Sequence, residues 1–221
     1  MNWRRGAGRF FPAAGFMVIG AAAAMLLSGT GRAPDEARAA TPGSADIGFG
    51  QDMIVHHQQA VTMVQTAGGR LSPPVAQLAT GIELNQLKEI GQMQGWLSLW
   101  NAPQVSSGPP MTWMTGDPHH GHHGHGAAKG SAVMPGMASV GEIRRLGEVK
   151  GADADAWFLK LMIRHHEGGL LMTTAAVQRT TLPQVRSAAT LMTAAQRRET
   201  ATMLGLLSAM GERPLPSPAS G

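Results

Sequence analysis

The sequence predicts an all-α protein, a four-helix bundle built from two duplicated helical hairpins and joined by a long flexible linker rich in Met and His. Three observations carry this prediction. Phe49–Ala67 (FGQDMIVHHQQAVTMVQTA) and Phe158–Ala176 (FLKLMIRHHEGGLLMTTAA) nearly match at an offset of 109 residues. The stretches that follow also align, at an offset of 110: Val75, Thr80, Gln86, Glu89, Met93, Gly95, Leu97 and Ser98 meet Val185, Thr190, Gln196, Glu199, Met203, Gly205, Leu207 and Ser208. The repeat unit is therefore a whole hairpin. No stretch alternates polar and apolar residues as a strand would, and two amphipathic hairpins bury their apolar stripes by packing together with pseudo-twofold symmetry.

Residues 1–40 read as a signal peptide or N-terminal membrane anchor. Arg4, Arg5 and Arg9 precede the apolar stretch Ala13–Leu27, and Ala37-Arg38-Ala39 offers a small-x-small cleavage site. The stretch is short for a full span, which usually needs about 20 apolar residues. Leu26-Leu27-Ser28-Gly29 resembles the approach to a lipoprotein site, but Thr30 stands where the lipidated Cys would be, so lipidation is excluded. Arg4-Arg5 is a hint of twin-arginine export.

The bundle domain is expected over residues 41–211. In hairpin one, 46–100, the first helix covers about Asp46–Ala67 and sets Phe49, Met53, His56, His57, Ala60, Met63, Val64 and Ala67 at spacings of three and four, on one face. Gly68-Gly69 ends it. Ser72 is placed to cap the second helix, with Pro73 and Pro74 in the first turn, where a missing N–H is harmless. Asn101 and Pro103 stop that helix. A linker, 102–139, has no helical period and is expected to be mobile, and Ser139-x-x-Glu142 reads as a capping box for a short helix to Lys150. In hairpin two, 153–211, Asp153 or Asp155 is expected to cap the third helix, Thr181 precedes Pro183 at the start of the fourth, and Gly211 with Pro214 ends it. A disordered tail, 212–221, is expected to follow.

Composition removes several functions. The formal net charge is +4, of which the first 40 residues supply +3, so the expected mature chain gives no electrostatic case for nucleic acid. Cysteine is absent, which excludes disulfides, thiolate metal sites and cysteine nucleophiles. Oxygen, imidazole and thioether remain as metal donors.

All nine histidines fall in the two His-His pairs or in the tract between them. Met53, His56, His57 and Met63 match Met162, His165, His166 and Met172, and these eight are candidate metal ligands. Consecutive helical residues point about 100° apart, so only one His of each pair can aim at a shared centre. Met53 and Met162 lie three and four residues before their His pair, on the same face. Glu89 and Glu199, on the partner helices, are candidate oxygen donors or acceptors for the ring N–H groups. Asp52, four residues before His56, is placed to orient it, although its match in the second copy is Leu161. A plain packing role for single His or Met residues on a helix face is the competing explanation.

The linker is a second candidate. His119, His120, His122, His123 and His125 concentrate imidazoles, which suit Cu(II), Zn(II) or Ni(II). Met111 with Met114 and Met134 with Met137 flank them as two thioether pairs of equal spacing, and thioether selects Cu(I). Histidine for the oxidised ion beside methionine for the reduced ion favours copper, with other divalent metals left open.

Di-iron chemistry is disfavoured. Such bundles need Glu-x-x-His, whereas this chain carries Gln86-x-x-Glu89 and Gln196-x-x-Glu199. No P-loop, dinucleotide or G-x-S-x-G signature appears.

Phe-x-x-x-Met-Ile-x-His-His, a following Gln-x-x-Glu-x-x-x-Met helix, Met-Pro-Gly-Met and a second Met-Ile-Arg-His-His-Glu-Gly together resemble the bacterial family of domains of unknown function numbered 305. The resemblance covers about Asp46–Gly211. It implies a ferritin-like four-helix bundle, export or membrane anchoring, and the copper binding or resistance to which some members have been linked. The family motif falls on Met53, His56, His57, Met63, Gln86, Glu89 and Met93, on Met162, His165, His166, Met172, Gln196, Glu199 and Met203, and on Met134 and Met137. The chain departs from it at Gln59 and Gly169, beside the histidines.

The expected function is an exported copper-binding protein, periplasmic or otherwise extracytoplasmic, that buffers copper or confers tolerance to it. Its expected partner is the metal ion, with membrane contact only through the N-terminal segment and a homo-oligomer left open. The alternatives are a helical interaction module without metal and a metal-dependent redox enzyme.

Overall fold

The computed structural model describes residues 41–115 and 134–218. The expected export segment, 1–40, and His119, His120, His122, His123 and His125 of the linker lie outside the described residues. Within them the chain is all helical: α1 (Ser44–Ala67), α2 (Pro73–Leu99), α3 (Val140–Glu148), α4 (Ala152–Arg179) and α5 (Pro183–Ala209), with short 3-10 turns at Gly68–Arg70 and Thr112–Met114. Among the described residues no helix is long and apolar enough to cross a membrane.

The hairpins are α1 with α2 and α4 with α5, and they meet chiefly through α1 against α4. Two reciprocal bonds set that pairing. Asp46, in the first turn of α1, accepts the backbone N–H of Leu182 at 3.0 Å, just before α5. Asp155, its match on α4, accepts the N–H of Ser72 at 2.9 Å, just before α2. Each helix start is thus tied to the far turn of the other hairpin, which makes α1 and α4 antiparallel. Asp155 consequently does not cap its own helix, whose N-cap is Gly151, and neither Gly151 nor Ser72 makes a side-chain capping bond. Ser139 and Glu142 do form the expected capping box, and α3 ends at Glu148 rather than Lys150.

The apolar stripes fill two half-cores related by the same pseudo-symmetry. One gathers Phe49, Met53, Met93, Leu97, Met172 and Val185, the other their matches Phe158, Met162, Met203, Leu207, Met63 and Val75. Phe49 and Phe158 are fully buried, each worth roughly 1.5–3 kcal/mol of transfer free energy.

The described ends of the linker are packed, against the expectation of a mobile segment. Trp113 is buried edge-on against Phe49, ring centroids 5.7 Å apart, and a side chain at Gly48 would overlap its indole. Met134 is buried in the first half-core. These residues remove enough apolar surface from water to hold segments that lack regular structure. The described part of the expected disordered tail is also engaged: Glu212 accepts a bond from Lys160 at 2.7 Å, and Leu215 packs on the second half-core.

Candidate metal site

Between the two half-cores lies a layer of four histidines, all at most 1% exposed. The helical rotation between neighbours divides each pair. His56 and His165 turn toward one another across the α1–α4 interface, with ring centroids 3.8 Å apart and planes inclined by 33°. His57 and His166 turn toward the second helix of their own hairpin, where Nε2 donates to Glu89 at 2.8 Å and to Glu199 at 2.7 Å.

His56 Nε2 donates to the Pro135 carbonyl, and His165 Nε2 donates to the His56 carbonyl, each at 3.1 Å. A carbonyl oxygen only accepts, so Nε2 carries the hydrogen in both rings. Burial, reinforced by the neighbouring imidazole of His57, lowers the pKa of His56 to about 3. Burial and the neighbouring His56 likewise hold His165 well below the usual histidine range. Both rings are therefore neutral at physiological pH, with the lone pair on Nδ1. In all four histidines Nδ1 is buried and has no hydrogen-bond partner among the described residues. Ring N–H fixed by a carboxylate or carbonyl, with the other nitrogen free, is the arrangement in which imidazole ligates metals.

The acidic partners are not equivalent. Glu199 also accepts from Asn85 at 2.9 Å, a bond that joins the hairpins. Burial raises the Glu199 carboxyl, but the bonds from His166 and Asn85 outweigh this and bring its pKa below the ordinary value. Among the described residues Glu89 has no such second donor, and the match of Asn85 is Ala195.

Met53, Met63, Met162 and Met172 are fully buried, as expected of ligands and of packing residues alike. The structure divides them, placing Met53 with Met172 in one half-core and Met63 with Met162 in the other. Met111, Met114 and Met137 are partly buried against the first half-core, which also holds Met134. Among the described residues no three His, Asp or Glu side chains are arranged to hold one ion. Any centre among the described residues therefore draws on thioether, or on fewer than three His, Asp and Glu donors.

Asp52 does not orient His56. Its carboxylate accepts the Met111 N–H at 2.7 Å and the Trp113 indole N–H at 2.8 Å, anchoring the linker to α1. The far end of the linker is anchored by Gln59, which bonds Ala138 in both directions. Sequence reasoning missed both anchors, although the departure at Gln59 pointed to the second. It also missed Gly168, the match of Gln59, where a Cβ would lie 1.9 Å from the Pro135 oxygen. Pro135 can reach His56 only because Gly168 has no side chain. At Gly169 a Cβ would lie 2.5 Å from Oε1 of the buried Gln196.

The family model described as Domain of unknown function (DUF305) matches residues 46–207. A Streptomyces coelicolor DUF305 protein, described as a presumed secreted protein, superposes with a TM-score of 0.69 at 38% identity, covering 78% of this chain and 98% of its own. A DUF305 fragment from Deinococcus radiodurans gives 0.60 at 29% identity, over 76% and 98%. CopM, solved in a Cu(II)-bound form, gives 0.56 at 23% identity, over 74% and 96%, a likeness of fold. None of the curated proteins compared matches the chain.

Proposed function

The chain belongs to the DUF305 family, and on that premise we propose that it is an exported metal-binding protein that holds copper outside the cytoplasmic membrane. The observation that carries the reading is the histidine layer. Among the described residues the four buried Nδ1 atoms have no partner, while every Nε2 is fixed by an acceptor. Leaving a buried polar atom unpaired costs roughly 1–3 kcal/mol, a cost that coordination to a metal would remove.

The residues fit copper. Imidazole suits Cu(II), thioether suits Cu(I), and no thiolate is available to favour zinc. Copper supplies a coordination demand that neutral nitrogen and sulfur satisfy. The chain's own part is to keep His56 and His165 neutral by burial, to orient all four rings through Glu89, Glu199 and the Pro135 and His56 carbonyls, and to exclude water around them. CopM, which shares the fold, has been solved with Cu(II) and with Cu(I) bound. Export is supported by the Arg-led apolar segment at the N-terminus and by the description of the Streptomyces relative.

One observation favours a second reading, a helical module without metal: His56 and His165 stack on one another, and stacked, hydrogen-bonded rings can serve packing alone. Titration with Cu(I) and Cu(II) against a competing chelator separates the two. The copper reading expects saturable binding that falls at least tenfold when His56, His57, His165 and His166 are replaced by Asn. Binding no tighter than that of a peptide spanning the His119–His125 tract would leave the packing role standing.

A further inference from the structure

We propose that one end of the bundle rests on a bilayer of anionic phospholipid, with Trp96, Leu99, Trp100 and Val105 at the acyl boundary and Arg179 and Arg186 among the phosphates. Membrane contact then belongs to the folded bundle as well as to the N-terminal segment, and it does not depend on the copper reading.

Distant parts of the chain are brought together at this end. Asp46 ties the start of α1 to the turn before α5, accepting from Leu182 at 3.0 Å. Gln51, further along α1, donates to the Pro103 carbonyl at 2.7 Å and so fixes the segment that follows α2. Arg179, the last residue of α4, lines an open cleft of about 760 Å³ with Ser44 of α1 and with Ser106 and Thr112 of that segment. On the other side of the same end, Trp96 lines a second cleft with Gln184, Ser187 and Leu191 of α5. The Trp96 and Trp100 rings stack with centroids 6.0 Å apart, both half-buried. Beside them Leu99 is 83% exposed and Val105 67% exposed. Indoles with one face packed and one edge free, next to exposed aliphatic side chains, are the composition of a membrane interface.

The duplication supplies an internal comparison, because matched segments build the opposite end. Trp96, Leu99, Trp100 and Val105 match Leu206, Ala209, Met210 and Leu215. No indole stands there, and Leu215 is packed on the second half-core instead of being left exposed. Ala102 and Pro103 match the charged Glu212 and Arg213. Arg70, the match of Arg179, donates to the Thr66 and Ala67 carbonyls of its own helix at 2.6 and 3.0 Å. Arg179 makes no hydrogen bond or ion pair among the described residues.

Charge names the occupant. Residues 92–115 hold no charged side chain. The carboxylates of α1 at this end, Asp46 and Asp52, are buried and bonded, while Arg179 and Arg186 are exposed. The opposite end exposes Glu148, Asp153 and Glu212. Exposed arginines above an aromatic and aliphatic rim match an anionic bilayer in both of its layers, phosphate and acyl chain. The described chain also begins at this end, at Thr41, after 40 residues that include the Arg-led apolar stretch Ala13–Leu27.

Cysteine is absent, so a single introduced Cys carries a nitroxide label at a chosen position. Leu99→Cys and Ala209→Cys, at matched exposed positions of the two ends, are made in the full chain. Each is mixed with vesicles of phosphatidylglycerol and phosphatidylcholine in equal parts, or of phosphatidylcholine alone. Electron paramagnetic resonance reads how often the label meets a water-soluble nickel chelate and how often oxygen, which concentrates among acyl chains. With the anionic vesicles the label at 99 is expected to be shielded from nickel by about fivefold or more, while the label at 209 stays near its solution value. The shielding is expected to fall in phosphatidylcholine alone, and to be lost when Val105→Asp and Arg179→Gln are added, with helicity as the check on folding. A label at 99 that remains open to nickel on anionic vesicles, or equal shielding at the two ends, overturns the proposal. Shielding already present without vesicles, with spin coupling between labels, would assign this end to a second copy of the chain and overturn it as well.

Discussion

Gln59 holds Ala138 as one strand holds another: its amide nitrogen donates to the Ala138 carbonyl at 2.9 Å, and its amide oxygen accepts the Ala138 N–H at 2.6 Å. The match of Gln59 on the other hairpin is Gly168, where the absence of a side chain admits the Pro135 carbonyl. One pair of matched positions thus does two jobs for one segment. Gln59 grips it, Gly168 makes room for it, and Pro135 is delivered to His56. A duplicated bundle becomes unsymmetrical at this point.

Replacing Gln59 by Ala removes both bonds, each worth about 0.5–1.5 kcal/mol. The Met134–Ala138 segment should then release more readily than the helices unfold. Faster proteolytic cleavage near Met137, with the main urea transition moved by less than the sum of the two bonds, is the expected result. Cleavage unchanged from wild type would show that Gln59 does not hold the segment.

Gly168→Ala should be worse than Gln59→Ala. Its Cβ would stand 1.9 Å from a backbone oxygen, and Gly136, opposite, has φ of 79° and a Cβ position 2.4 Å from the Arg164 carbonyl. Neither backbone can yield without losing the His56 bond. We expect destabilisation of about 2 kcal/mol or more by urea denaturation, in the range of core overpacking. A variant as stable as wild type would mean that the segment moves aside freely.

The reciprocal carboxylates should differ in weight. Asp46 accepts from Gly43, Thr181 and Leu182, whereas Asp155 accepts only from Ser72 among the described residues. Hydrogen bonds to charged groups contribute about 1.5–3 kcal/mol each. Asp46→Ala should therefore cost more than Asp155→Ala in equilibrium unfolding, and the reverse order would contradict the geometry.

Acid should destabilise the metal-free protein over a defined window. Burial keeps His56 neutral down to about pH 3, while in the unfolded chain the same ring takes a proton near pH 6.5. Below pH 6.5 the unfolded state binds more protons, so stability falls as pH drops from about 6.5 toward 3. His165 adds to the same trend. Urea midpoints measured from pH 7 to pH 4 should fall more steeply for wild type than for His56→Asn, and parallel slopes would contradict the burial argument.

Glu142 acts in the opposite sense of charge. Its bonds from Arg164, at 2.8 Å, lower its pKa to about 2. The stabilisation is present above the unfolded carboxyl range near pH 4.3 and is lost as pH falls through about 2. Glu142→Gln should lower the melting temperature at pH 7 and differ little from wild type at pH 2.

Local pattern decided most of the helices. The spacing of Phe49, Met53, His56 and Met63 was enough to place α1 with one buried face, and the repeat at Phe158 implied α4. Glycine, proline and the Ser139–Glu142 box marked ends that depend on backbone chemistry within a few residues. The divergence of His56 from His57 also followed from helical rotation alone.

What depended on distant residues was not legible. Asp155 reads as a cap for its own helix, but its carboxylate finds the Ser72 N–H of the other hairpin, because antiparallel packing of α1 on α4 brings that turn closer. Asp52 reads as a partner for His56, yet a buried indole and a backbone N–H from the linker take it instead. Nothing in the motif around Asn85 indicated a bond to Glu199, which exists only because the hairpins are assembled.

The sequence by itself therefore determined the helices, their duplication and the donor types, since each depends on neighbours along the chain. Only the tertiary structure decided which ring meets which partner, where the linker ends dock, and which half-core gathers the extra thioethers. Those outcomes come from long-range packing, in which a missing side chain at Gly168 matters as much as a present one at Gln59.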